Sequence, residues 1–193
     1  MSAAAKPRRK AEEIRASLID AAGELFAAHG YDGVSVRDIG AAAGVQASVI
    51  IRYFGSKEEL FRQVLTTSRP DDFEPEVLPH LPQRICQALI DPPPTDSFRR
   101  RSRVHQIAVR SLGSPEARQM IAADLDERYI QALAHILPGK DALARAGVIV
   151  SLVMGVRMMR EIVQAPALGD QQREDLKPLL EGILAGLTRP PAP

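Results

Sequence analysis

Gln46, Ala47, Ser48, Ile51 and Arg52 fall within seven residues of one another, at steps that would present them together from the start of a short helix. Their chemistry suits a DNA major groove. A Gln amide can bond adenine in bidentate fashion, and an Ala methyl can meet a thymine methyl. Ser48, Arg52, Tyr53 and Lys57 suit phosphate oxygens, which set register rather than sequence. Ser35 and Arg37, one helix earlier, complete the candidate DNA-contacting set. Lys6, Arg8, Arg9 and Lys10 add a basic N-terminal arm that could follow the backbone or enter a minor groove. A solvated tail explains the same four charges equally well.

Such a reading helix must be held at a steep angle to a second one, which makes specific demands on the sequence. Small residues are needed where the helices touch, and Gly40 and Ala43 supply them. The turn needs a residue that tolerates positive φ, and Gly44 stands there. Ile39, Val45, Ile50 and Phe54 offer a shared core, with Tyr53 half-buried beside it. Ser35 and Asp38 form a capping box that opens the first of the two helices. Ser56 and Glu59 open the next helix in the same way, which runs to about residue 68. A longer first helix over about 10–29 carries Ile14, Leu18, Ala21, Ala22, Leu25 and Phe26 on one face.

Other chemistries find little support. His29, His80, His105 and His135 are scattered, without the spacing of a zinc site. Gly139-Lys140 lacks the rest of a phosphate-binding loop, and there is no GxSxG. Cys86 reads as a packed thiol. The chain is expected to be no enzyme and to need no cofactor and no metal.

The 193 residues are 45% hydrophobic, enough for a sizeable core, and carry a net charge of +1, which excludes a uniformly basic coat. Residues 1–67 hold nine Lys/Arg against eight Asp/Glu, so any basic patch must come from arrangement. One cysteine fits a reducing, cytoplasmic setting. The apolar run Gly147–Val156 spans about 15 Å as a helix, half a bilayer core, and reads as a buried core helix.

Helical periodicity continues throughout, so the fold class is all-α. A small N-terminal helix-turn-helix unit of three or four helices precedes a larger helical bundle, about nine helices in all. The boundaries are an arm over 1–10, a DNA-binding domain over 11–68 and a second domain over 69–193. Later helices are expected at 83–90, 97–112, 116–136, 140–164 and 172–188. In these, Cys86, Leu89, Val104, Ile107, Met120, Ile121, Leu125, Met154 and Met158 are candidate lining for a small-molecule pocket, with Arg110 and Arg157 as partners for an effector anion. Plain core packing explains each apolar member as well. The basic run Arg99–Arg103 suits a solvated face, DNA phosphate or an anionic ligand.

The helix-turn-helix window, its flanks Gly30-Tyr31-Asp32-Gly33 and Gly55-Ser56-Lys57-Glu58-Glu59-Leu60-Phe61, and Ala21-Ala22 with Leu25-Phe26 together resemble the TetR family of transcriptional regulators over residues 12–65. The resemblance implies a homodimer on a palindromic DNA operator, with an effector pocket in the second domain. It also implies dimerisation through the last two helices. That assigns the interface to Gly147, Ser151 and Gly155 on one helix and to Leu176, Leu180, Ile183, Leu184 and Leu187 on the other, for which an intramolecular core is the alternative. Where the family usually has Ser or Thr, Gly and Tyr, this chain has Gln46, Ser48 and Ile51. The function expected is a repressor released by a small molecule. The alternative is a helical ligand-binding or scaffold protein with a vestigial DNA-binding domain.

Overall fold

The computed structural model describes residues 5–67 and 74–189, with side chains from residue 11 onward. Every regular element among them is helical. The order is α1 (Ala5–His29), α2 (Val36–Ala42), α3 (Ala47–Phe54), α4 (Lys57–Leu65), α5 (Leu81–Ile90), α6 (Asp96–Ser111), α7 (Pro115–Leu125), α8 (Gln131–Ile136), α9 (Ala142–Arg157) and α10 (Arg173–Thr188). A π turn, Asp126–Ile130, follows α7 and leads directly into α8. A second π turn, Met158–Ile162, extends α9. The helix spans expected from periodicity match closely. The exception is α1, which begins at Ala5 rather than near residue 10; Pro7 falls in its first turn, where its missing N–H costs nothing.

The chain divides into two compact units. The first comprises residues 1–68 and 106–121, and the second 69–105 and 122–193. The end of α6 and most of α7 therefore cluster with the N-terminal helices, although they follow the expected boundary at 68.

In the first unit, Leu18, Ala22 and Phe26 of α1, Leu60, Phe61, Val64 and Leu65 of α4, and Tyr31 and Val34 of the connecting turn are all buried. Three rings organise this core. Phe61 meets Phe26 edge-on at 5.0 Å and Tyr31 at 4.8 Å, geometries that aromatic quadrupoles favour. The Tyr31 hydroxyl donates to Glu58 Oε1 at 3.0 Å.

The second unit has two apolar clusters. Leu81, Leu133, Ile136, Leu137, Ala146, Ile149 and Leu184 form one; Cys86, Leu89, Ile90 and Leu180 form the other. Arg145 is buried and closes the end of α10. Its Nη1 donates to the carbonyls of Leu187 and Arg189, both at 2.9 Å, and its Nη2 pairs with Asp141 at 3.0 Å and reaches the Pro138 carbonyl. A cation at a helix C-terminus satisfies orphan carbonyls and opposes the negative end of the dipole.

The apolar run 147–156 departs from expectation. In α9 only Arg145, Ala146 and Ile149 are buried, while Leu143 and Val148 are half-exposed. This stretch is apolar around its whole circumference, but the described residues cover only one side. Ala142–Ile162 is long and apolar enough to cross a bilayer by length and composition alone. It also carries Arg145, Arg157, Arg160 and Glu161, all engaged in ion pairs within the second unit.

Candidate nucleic-acid interface

The two-helix unit α2–α3 is built by short-range forces. The Ser35 backbone N–H and hydroxyl both donate to Asp38 Oδ2, at 2.8 and 2.6 Å, and Asp38 N–H returns a bond to Ser35 Oγ at 3.2 Å. This capping box starts α2, and the hydroxyl bond first, then the backbone one, holds the Asp38 carboxyl below its usual range. α2 ends in a tight turn in which Val45 N–H donates to the Gly40 carbonyl at 2.8 Å. A Cβ on Gly40 would lie 2.8 Å from the Val45 carbonyl oxygen, so only glycine allows this approach. Gly44 takes φ +68°, which favours glycine for backbone reasons. Ile39 and Ile50 are fully buried and Phe54 nearly so, locking α3 across α2.

That packing fixes which side of α3 is open. Gln46, Ser48, Ile51 and Arg52 are exposed, while Ala47 and Tyr53 are half-buried. Gln46 occupies the N-cap position in extended conformation, yet its side chain makes no capping bond. Its amide is thus not spent on the helix. Ile51 is 47% exposed, unusual for so large an aliphatic residue. Ser35 and Arg37 are exposed at the start of α2.

Lys57 is seated differently from the rest. Its ammonium lies 4.0 Å from the Tyr31 ring centroid, a cation–π contact on the ring that also binds Glu58. The backbone N–H of Glu58 first, then the Ser56 and Tyr31 side chains, donate to the Glu58 carboxylate and hold it below its usual range. Burial and Glu58 together raise the Tyr31 phenol. Sequence reasoning missed Arg15, whose guanidinium stands 5.6 Å over Phe54 and bonds Gln63. The arm residues Lys6, Arg8, Arg9 and Lys10 fall in the first turns of α1, and their side chains lie outside the described ones.

The pocket candidates fall in both units. Ile107, Arg110, Met120 and Ile121 belong to the first unit, and the Arg110 side chain is exposed. Cys86 and Leu89 pack in the α5–α10 cluster, and burial raises the Cys86 thiol. Val104, Leu125, Met154, Arg157 and Met158 remain in the second unit. The interface candidates also divide. Leu180 and Leu184 are buried in the apolar clusters of the second unit, with Leu176 and Leu187 packed against them. Ile183 and Ser151 are exposed, and Gly147 and Gly155 partly so. Leu179, which belongs to the same apolar band of α10 in sequence, is 62% exposed. In the Arg99–Arg103 run, Arg99 pairs with Asp96 and Arg100 is exposed, whereas Arg101 and Arg103 are partly buried.

These features define an all-α protein whose N-terminal unit presents a helix-turn-helix and whose second unit is a separate helical bundle. Residues 18–64 match the family model for bacterial regulatory proteins of the TetR family, and residues 80–187 match that for the tetracyclin repressor-like C-terminal domain. The chain belongs to the TetR family. It is 30% identical over 101 residues to an HTH-type transcriptional repressor of Mycobacterium tuberculosis, a match covering 47% of this chain and 54% of that one. The chain therefore spans about half the length of the curated relatives it matches. Among solved structures it shares its fold with NalD of Pseudomonas aeruginosa (TM-score 0.69, 21% identity, 93% of this chain and 98% of that one). A TetR-family structure from Rhodococcus sp. is similar as well (TM-score 0.67, 18% identity, 92% and 99%).

Proposed function

We propose that this chain is a homodimeric transcriptional regulator that binds a palindromic DNA operator through α3 and is released by a small-molecule effector bound in the second unit. The observation that carries the reading is the open side of α3. Gln46, Ser48, Ile51 and Arg52 stand exposed on a helix whose other side is locked against α2. A helix of this kind places its N-terminal residues at base edges. Gln46 reads sequence, Ile51 contacts a thymine methyl or sugar, and Ser48, Arg52, Tyr53, Ser35 and Arg37 contact phosphate. Lys57 shares its charge between the Tyr31 ring and the DNA backbone.

The dimer surface is the uncovered side of α9 and α10, with Leu143, Val148, Leu179 and Ile183 as its apolar members and Gly147 and Ser151 permitting close approach. Two-fold symmetry then sets the reading helices about 34 Å apart, one turn of DNA. Release requires the effector to prefer the conformation that does not fit the operator. The relative of 30% identity is described as a repressor, which supports repression over activation. The setting is cytoplasmic, and the chain is not an enzyme.

The test is a mobility shift of the DNA upstream of the chain's own coding region, over a salt series. Binding that weakens steeply with salt, and is lost when Gln46 and Arg52 are both replaced by Ala, is expected. Failure to bind this fragment, or a salt-independent shift, overturns the reading.

A further inference from the structure

One side of α6 and the end of α9 share a buried polar cluster whose hydrogen-bonding capacity is not used up. His105 is 3% exposed, and neither Nδ1 nor Nε2 has a hydrogen-bond partner among the described residues. Arg157 is near enough to act on it electrostatically. Its Nε donates to Glu161 Oε1 at 2.9 Å, its guanidinium lies 5.2 Å from the Phe98 ring centroid, and its Nη2 is buried without a partner. The Ser102 hydroxyl donates to Glu161 Oε2 at 2.6 Å. Both oxygens of Glu161 are thus engaged. All five residues lie in the second unit.

Buried polar groups are paired in all but a few cases, and an orphaned guanidinium nitrogen near an orphaned imidazole calls for a physical reason. The local backbone is also unusual. α9 passes directly into the π turn Met158–Ile162, which carries Glu161, and single π turns inside helices are common at functional sites. Met154 and Met158 flank Arg157 in sequence, and methionine adapts its shape to what it packs against.

We propose that Arg157 Nη2 and His105 hold the carboxylate of a small apolar monocarboxylate, whose body lies against Phe98, Met154 and Met158. The charge and geometry of the donors select this class. Arg157 offers charged N–H groups and no acceptor, and a neutral imidazole offers one N–H. A carboxylate has two oxygens, can engage both residues and makes a charge-assisted bond to the guanidinium. An amide oxygen carries no charge and makes the weaker bond, and an ammonium has no acceptor. The planar guanidinium also matches a carboxylate better than a point charge does. This names the effector class for the release mechanism above and rests on that reading only for its regulatory meaning; binding itself does not depend on DNA.

The test uses the full-length protein and three probes, benzoate, phenylacetate and decanoate, each beside its amide, titrated by calorimetry at pH 7.5. At least one carboxylate is expected to bind about tenfold or more tightly than its amide. Arg157→Lys, which keeps the charge and loses the fork, should weaken it about tenfold with an unchanged helical circular dichroism spectrum. A second readout needs no variant: the ring nitrogen resonances of His105 in the wild type should move when that probe is added. No binding by any of the three, equal binding of acid and amide, or an unmoved His105 overturns the proposal; ordered water then satisfies the cluster. Probe binding that leaves operator affinity unchanged supports this site and removes the release mechanism, whereas loss of DNA binding in the unliganded protein bears on the regulator reading alone.

Discussion

The backbone N–H of Tyr31 donates a 3.0 Å hydrogen bond to Ser111 Oγ, joining the turn after α1 to the last residue of α6. Ser111 is 2% exposed, so no water replaces it if it is removed. Ser111→Ala should therefore leave a buried N–H unpaired and cost about 1–3 kcal/mol. Urea unfolding at neutral pH measures this, and an unchanged midpoint would show that the bond contributes nothing.

Gly40 and Gly44 stand four residues apart, and their substitutions should fail for different reasons. Alanine at Gly40 places a Cβ 2.8 Å from the Val45 carbonyl, backbone against backbone, and the helices must part. Gly44 has nothing within 4 Å of a new Cβ, so the cost there is only its φ of +68°. Gly40→Ala should cost about 1–3 kcal/mol by overpacking. Gly44→Ala should cost about 1 kcal/mol, and Gly44→Asn less, because Asn tolerates this backbone region. Thermal unfolding of the three variants checks the order, and equal losses at Gly44 for Ala and Asn would contradict it.

The contrast explains what the sequence could reveal. The capping box at Ser35 and Asp38, the turn at Gly44 and the close approach at Gly40 are settled within twenty residues, so local pattern suffices to read them. The helix spans follow from apolar periodicity for the same reason. Which side of α10 faces inward depends on α5, some ninety residues earlier. Leu176, Leu179, Leu180, Ile183, Leu184 and Leu187 make one apolar band in sequence, and only packing separates buried Leu180 and Leu184 from open Leu179 and Ile183. The same holds for Ile107 and Met120, which spacing grouped with a pocket and contacts grouped with the first unit. His105 had no signal at all, since Arg157 and Glu161, which act on it electrostatically, lie more than fifty residues away in sequence.

His105 should make stability depend on pH. Burial first, then Arg157, push its pKa down from 6.5 to about 4, while Glu161 pulls weakly the other way. The unfolded chain thus binds a proton near pH 6.5 that the folded chain refuses until about pH 4. The His105 contribution is fully present above pH 6.5 and is lost as pH falls through that window, up to roughly 3 kcal/mol in all. Urea unfolding at pH 7.5 and 5 should show a loss in the wild type that shrinks in His105→Gln. Equal pH dependence in both proteins would contradict it.

The uncovered side of α9 and α10 gives a separable test of assembly. Leu179→Asp with Ile183→Asp places charge on exposed positions and should leave the protomer folded but monomeric by sedimentation velocity. Leu180→Ala with Leu184→Ala opens cavities in the protomer's own clusters and should cost several kcal/mol, about 2–5 for each large-to-small change. A double Asp variant that remains dimeric would move the interface elsewhere.

Ile51 and Arg52 are neighbours on the open side of α3, and they should fail in different ways on DNA. Arg52 contributes one positive charge, and a lost phosphate contact reduces the salt slope of binding by about one per contact. Arg52→Ala should therefore weaken binding to all sequences alike and flatten the salt dependence by about two for a dimer. Ile51 carries no charge, so Ile51→Ala should leave the slope unchanged. If Ile51 meets a thymine methyl, the loss should be confined to operators with thymine at that position, about 1–3 kcal/mol per base pair. Binding of both variants to the wild-type operator and to single-base variants, each over a salt series, separates the two roles. A change in slope for Ile51→Ala, or none for Arg52→Ala, would place the phosphate contacts on other residues of the helix-turn-helix.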